Sequence, residues 1–282
     1  MNLSNKLISK LLRLRKKGFL KIQDKYELAS KSFGNKFNSI FDPKSDSEKL
    51  YEACSQGNRF ELFEVTPYGI EHPIYLRRGT SDILNYRGIF EREEYKFLAN
   101  PLNQILDLGG YIGIASVYFA NRFPDAQILL VEPDPDNFVL ATLNCRGYKN
   151  ITCLNCGVWS HSCNINQTGQ VGKLGGDFGK MFSESTSAEN GTAISAKSII
   201  ELMTIAKFDR LDFCKIDIEG SEKVLFDATD AYVWLDKCKI VSCEFHDRMV
   251  EGCTDSGHKA LESAGFKSHR NGEYDYFVKN SI

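Results

Sequence analysis

From Ile105 onward the chain alternates short apolar runs with segments whose apolar residues recur at helical spacing. The pattern predicts strand 104–108, helix 113–122, strand 127–132, helix 135–146 and strand 151–154. After a glycine-rich interruption at 169–179 it resumes with helix 198–206, strand 211–217, helix 221–228, strand 239–245 and helix 255–264, and it closes on a strand pair at 266–269 and 274–279. Repetition of this kind marks an α/β fold built on a doubly wound parallel sheet, whose ligands sit beyond the carboxyl ends of the strands. No internal repeat is present. Segment 164–191 is polar and carries five glycines between Gly169 and Gly179; it reads either as a mobile loop over a site or as a solvated insertion without a role.

The N-terminal region has a different pattern. Lys6, Lys10, Arg13, Arg15, Lys16, Lys17 and Lys21 precede the first acid at Asp24, with Leu3, Leu7, Ile8, Leu11 and Leu12 at helical spacing. A basic amphipathic helix over 1–26 follows, for which two readings stand: attachment to an acidic membrane surface, or packing of the apolar stripe on the body or on a second subunit. Residues 31–47 read as a linker, which divides the chain into a basic extension (1–50) and a main domain (51–282).

Composition narrows the picture. With 282 residues and 42% hydrophobic content the chain fills one large core, and a net charge of -2 gives no overall signature of a polyanion-binding protein. No run approaches the roughly 18 unbroken apolar residues of a membrane span, and lysines and arginines interrupt any secretory apolar core, so the expected compartment is the cytoplasm. Nine cysteines lack paired spacings, and the single C-x-x-C, Cys153 to Cys156, has no second pair to complete a zinc ribbon; burial of the thiols is the expectation.

The candidate chemistry lies in "ILDLGGYIGIAS", where Asp107 ends a strand and is followed by Gly109, Gly110 and Gly113. The spacing D-x-G-G-x-x-G fails the dinucleotide fingerprint G-x-G-x-x-G, whose second glycine admits a pyrophosphate. An acid at the strand end repels phosphates and attracts an ammonium group. Nineteen residues after Gly113, Glu132 ends the next strand, where a carboxylate accepts both hydroxyls of a ribose. The pair suits a cationic, phosphate-free nucleoside. S-adenosyl-L-methionine has that description, with Asp107 near its amino group, the glycines under its methionine arm and Glu132 on its ribose. Tyr111 and Asp134 flank these turns, and Asn155, Gly157 and Val158 follow the third strand, where adenine is usually met.

"YLRRGTSDILNYRGIFEREEY" (75–95), "ILDLGGYIGIAS" (105–116), "VEPDPDN" (131–137), "FCKIDIEGSEKVLF" (213–226) and "VSCEFH" (241–246) resemble, in this order, the landmarks of FkbM-type S-adenosylmethionine-dependent methyltransferases. The resemblance covers about residues 70–280 and departs at Gly110–Tyr111, where the family more often has Ala-Asn. It implies a class I, Rossmann-like methyltransferase fold with a mostly parallel seven-stranded sheet of strand order 3-2-1-4-5-7-6, and O-methylation of sugars, glycans or polyketide-like products.

Methyl transfer needs an acceptor held near the methyl, a base for its proton and exclusion of water. The fourth and fifth predicted strands end in Asp217 with Glu219 and in Glu244 with His246. His246 titrates near neutrality and is the expected base. The alternative is a Mg²⁺ site on Asp217 and Glu244, and the plainest reading has Asp217 and Glu219 capping the helix near Ser221. In "RRGTSD", Arg78 and Asp82 either line the entrance or form a structural ion pair. A non-catalytic cofactor-binding scaffold and an RNA methyltransferase remain as rival functions, while a nicotinamide-dependent oxidoreductase is disfavoured by the glycine spacing.

Overall fold

A computed structural model describes residues 40–41, 47–56, 58–99, 101–170, 179–185, 193–271 and 274–279. The basic helix expected over 1–26 and most of the linker lie outside these residues. The boundary placed at 50/51 falls inside helix α1 (Ser47–Ser55), whose Leu50 is 2% exposed in the core.

Before the first predicted strand the chain forms, besides α1, four elements that periodicity missed. These are the antiparallel pair β2 (Leu62–Pro67) and β3 (Ile74–Arg77), with β1 (Ile40–Phe41) parallel to β2, and helix α2 (Asp82–Phe90). The main sheet then runs β4 (Gln104–Leu108), β5 (Gln127–Val131), β6 (Ile151–Leu154), β11 (Phe213–Ile216), β12 (Ile240–Cys243), β13 (Phe266–Asn271) and β14 (Tyr274–Lys279) in chain order. Its spatial order is β13-β14-β12-β11-β4-β5-β6. Counted along these seven strands this is 3-2-1-4-5-7-6, with β14 antiparallel to both neighbours and every other pair parallel.

The strands bury both faces, as parallel strands between helices do. Ile105, Ile128, Leu130 and Phe213 join one apolar cluster, while Leu106, Leu108, Leu129, Val131, Cys214 and Ile216 join the other. The period of two also places Asp107 and Lys215 on the same face as Ile105 and Phe213, directly paired in register across β4 and β11. Helices α3 (Ile114–Arg122) and α4 (Pro135–Cys145) connect β4, β5 and β6.

The reading of 164–191 as loop or insertion is overturned for its described part. β8 (Cys163–Gln170) and β9 (Lys180–Glu184) pair antiparallel, and with β7 (Gly157–Val158) and β10 (Ile194–Lys197) they form a second sheet of order β7-β10-β8-β9. Its glycines and polar residues hid the alternation of a partly exposed hairpin, in which Ile165 is buried in the core. The chain continues through α5 (Ile199–Ala206), α6 (Glu222–Phe226), α7 (Ala231–Leu235) and α8 (Cys253–Ser263). All nine cysteines are free thiols, most of them buried, as expected. No helix among the described residues is long and apolar enough to cross a membrane.

Candidate active site

Strand order reverses between β4 and β11, which run parallel: β5 and β6 lie on one side of β4, while β11 and β12 lie on the other. Such switch points leave a crevice at the strand ends. A cavity of about 690 Å³ occupies it. Gly109, Tyr111, Glu132, Gly157 and Val158 line it from beyond β4, β5 and β6. Asp217, Glu219 and Glu244 line it from beyond β11 and β12, with Ile165, Gly179 and Phe182 of the second sheet as a further wall.

The glycine turn works mainly by close packing. Gly109 has φ +73°, and a Cβ there would stand 1.7 Å from the Asp217 carbonyl oxygen, so the two strand ends touch through this position. Gly113 (φ +84°) precedes α3, and its Cβ would meet the Cys145 sulfur at 2.9 Å. A Cβ on Gly110 would fall 2.3 Å from Leu130 Cγ. Of the three, only Gly109 lines the cavity.

Asp107 is corrected. Its side chain is fully buried beneath the turn, accepting from Ser116 Oγ at 2.7 Å, with Lys215 Nζ 3.3 Å away, and it does not line the cavity. Lys215, itself 3% exposed, also lies 3.5 Å from Asp217 and donates to the Gly109 carbonyl at 3.0 Å. Burial pulls the ammonium pKa down, but the adjacent Asp107 and Asp217 carboxylates outweigh it and hold the pKa above the ordinary lysine range. Lys215 therefore ties both strand ends to the turn. A lone lysine in the apolar strand "FCKI" was the sequence signal for it, because a buried charge needs a partner.

Glu132 stands where the sequence placed it, 6% exposed and facing the cavity. Each carboxylate oxygen accepts one backbone N–H at 2.8 Å, Oε2 from Tyr111 and Oε1 from Asp134, which leaves each a further lone pair. Burial pushes its pKa up to about 8. A buried carboxylate with free acceptor positions and costly charge fits a ligand bearing two hydroxyl donors, and the cavity has room for a nucleoside and an acceptor.

Tyr111 lines the cavity and is anchored in the left-handed region at φ +49°. Its hydroxyl donates to Asp82 Oδ1 at 2.6 Å and lies 2.9 Å from Ser81 Oγ. Asp82, fully buried, takes a bidentate pair from Arg77 (2.9 and 2.7 Å), whereas Arg78 donates to the Gln56 carbonyl. The "RRGTSD" pair is thus structural and involves Arg77; it braces Tyr111 from behind. Asn155 donates to the Glu132 and Pro133 carbonyls at 2.7 and 3.0 Å, so its side chain fixes the turn beyond β5. Asp134 caps α4 through Asp136 N and Asn137 N and pairs with Lys180 at 2.6 Å. Neither Asn155 nor Asp134 lines the cavity.

The acid cluster assembles around His246. Nδ1 contacts Glu222 Oε1 at 2.8 Å, and Nε2 faces Glu219 Oε2 at 3.3 Å, Glu244 Oε1 at 3.5 Å and Asp217 Oδ1 at 3.8 Å. His246, the expected general base, has a ring that is 1% exposed, sits behind the carboxylates and does not line the cavity. Burial opposes its charge, but the contacts with Glu222 and Glu244 and the charge of Asp217 outweigh it and raise the imidazole to about 11. The capping role foreseen for Asp217 and Glu219 is not seen, because α6 has no side-chain cap hydrogen bond; Glu222 instead accepts from Ile218 N and Gly220 N in the turn before the helix. Glu219 sits at φ +54° and takes the Gly179 N–H on Oε1, and burial with the charge of Asp217 raises it to about 7.

A mostly parallel sheet of this order, with its crevice walled by one strand-end carboxylate on the β5 side and three carboxylates on the other, defines a class I methyltransferase fold. The chain belongs to the FkbM methyltransferase family: the model described as "Methyltransferase FkbM domain" matches residues 107–268. Methyltransferase sdnD of Sordaria araneosa is 24% identical over 179 residues, covering 53% of this chain and 69% of its own. A methyltransferase FkbM from Methylobacillus flagellatus KT superposes with a TM-score of 0.44 at 16% identity over 90% of this chain; the match spans 66% of that protein, just under two thirds. Fibrillarin from Aeropyrum pernix, solved with natively bound S-adenosyl-L-methionine, superposes with a TM-score of 0.40 at 12% identity over 79% of this chain and 85% of that one.

Proposed function

We propose that the protein is an S-adenosylmethionine-dependent O-methyltransferase acting on a hydroxyl of a sugar, glycan or polyketide-like product. The observation that carries the reading is the shared cavity: the Glu132 carboxylate faces it from the end of β5, and Asp217, Glu219 and Glu244 face it from the ends of β11 and β12. When bound, S-adenosylmethionine supplies an electrophilic methyl group on a sulfonium centre. Glu132 accepts the ribose hydroxyls, Gly109 lets the chain pass close beneath the ligand, and Gly157 and Val158 flank the base. Glu244, 22% exposed at the end of β12, takes the acceptor hydroxyl proton on a side-chain oxygen. Ile165 and Phe182 keep water from that wall of the cavity, their hairpin held by the Gly179–Glu219 hydrogen bond and the Lys180–Asp134 pair.

Incubation with S-adenosylmethionine and a panel of hydroxylated saccharides and natural products, read by mass spectrometry, is expected to show the gain of one methylene unit, with fragmentation placing the methyl on oxygen. Products methylated only on nitrogen or carbon would contradict the assignment.

A further inference from the structure

We propose that Asp217, Glu219 and His246 form a binding site for a divalent transition-metal ion, of the Mn²⁺ or Fe²⁺ class, at the wall of the cavity. Each of these residues offers one ligand atom within 4.8 Å of the others, and His246 Nε2 lies 3.3 Å from Glu219 Oε2 and 3.8 Å from Asp217 Oδ1. Two ligands each about 2.1 Å from one ion, at tetrahedral or octahedral angles, stand roughly 3.0–3.4 Å apart. The His246–Glu219 separation already falls in that range, and the Asp217 carboxylate would have to move closer for the set to meet on a common centre.

Two observations beyond the clustering of acids point to a cation. The first is how the buried ring is held. A carboxylate only accepts, so the 2.8 Å contact with Glu222 places a proton on Nδ1 and turns Nε2 toward the carboxylates, where a metal ion would take the place of the Nε2 proton, released to solvent. Glu222 is in turn fully buried and held by the Ile218 and Gly220 N–H groups. An acid orienting the far nitrogen of a ligating histidine is the usual outer shell of a metal centre. The second is Glu219 Oε2, which is buried yet has no hydrogen-bond partner among the described residues. Its near positive neighbour is the His246 ring, 3.3 Å away without a hydrogen bond, and a metal ion would give this oxygen the direct bond it lacks.

One imidazole with carboxylates suits Mn²⁺, Fe²⁺ or Zn²⁺, whereas Mg²⁺ favours all-oxygen surroundings that retain water, so the ion anticipated from Asp217 and Glu244 alone is revised. The site stands on its own geometry. Its role, polarising an acceptor hydroxyl and easing loss of its proton to Glu244, rests on the methyl-transfer reading.

Mn²⁺ titrated into EDTA-treated, dialysed full-length protein and followed by electron paramagnetic resonance is expected to bind saturably with one equivalent at this site, undisplaced by tenfold excess Mg²⁺. Asp217→Asn and His246→Ala are each expected to weaken binding at least tenfold, about the loss seen when ligand shells are disturbed. Circular dichroism reports whether each variant is folded, and Asp217→Asn, nearly isosteric, carries the test if His246→Ala is not. The exposed group His161, Cys163 and Glu184 is the control, and His161→Ala should leave this binding unchanged. Absence of saturable Mn²⁺ binding, or binding lost in His161→Ala and kept in Asp217→Asn, overturns the proposal. S-adenosylhomocysteine binding, measured on the same metal-free samples, reports separately on the methyltransferase reading.

Discussion

Glu244→Gln is expected to lower turnover by roughly 10²- to 10⁴-fold while leaving the affinity for S-adenosylhomocysteine within about twofold. The substitution keeps the size of the side chain and removes its ability to take a proton. Glu244 lines the cavity, whereas His246 lies behind it with Nε2 3.5 Å from Glu244, so no imidazole stands ready to replace the lost base. Single-turnover rates with a methylated acceptor identified by mass spectrometry give the number. A variant that retains more than a tenth of the rate would move the proton acceptor to Glu219 or Asp217.

Lys215→Met is expected to cost about 3–5 kcal/mol of stability, because it removes the cation and leaves Asp107 charged in the core. Asp107 is fully buried and retains only the Ser116 hydroxyl, so it has little means of recovering solvation. In a chain of this size that loss lowers the melting temperature by about 6–15 °C. The double variant Asp107→Asn with Lys215→Met should recover part of the loss, since the uncompensated charge is then gone. A loss below about 1 kcal/mol in denaturant unfolding would contradict the role given to the buried pair.

The contrast between Asp107 and Glu132 shows how far the sequence could be read. Both acids end consecutive strands, and both were placed toward a ligand. Register decides otherwise: Asp107 is opposite Lys215 across β4 and β11 and is satisfied inside the protein, whereas Glu132 lies one residue past the end of β5 and faces the cavity. Predicted boundaries from β4 to β6 came within a residue or two of the observed ones, because apolar strands buried on both faces and helices of 9 and 11 residues leave strong periodic signals. The β2–β3 pair, α2 and the β8–β9 hairpin escaped, being short, mixed in polarity or rich in glycine. Glu222 was legible only as a helix-start acid; that it takes the His246 ring depends on packing between the ends of β11 and β12, which no local pattern records.

The central claim is that the crevice holds S-adenosylmethionine with Glu132 on its ribose, and calorimetric titration with S-adenosylhomocysteine tests it most directly. The wild-type protein is expected to bind with one-to-one stoichiometry, more tightly at pH 8.5 than at pH 6.5 by up to about 25-fold, because below about 8 the Glu132 carboxyl holds a proton that hydroxyl donors must displace. Glu132→Ala is expected to abolish most of the binding, and NAD(H) to produce no heat in either protein. Binding of NAD(H) without S-adenosylhomocysteine, or full affinity for S-adenosylhomocysteine in Glu132→Ala, would contradict the account.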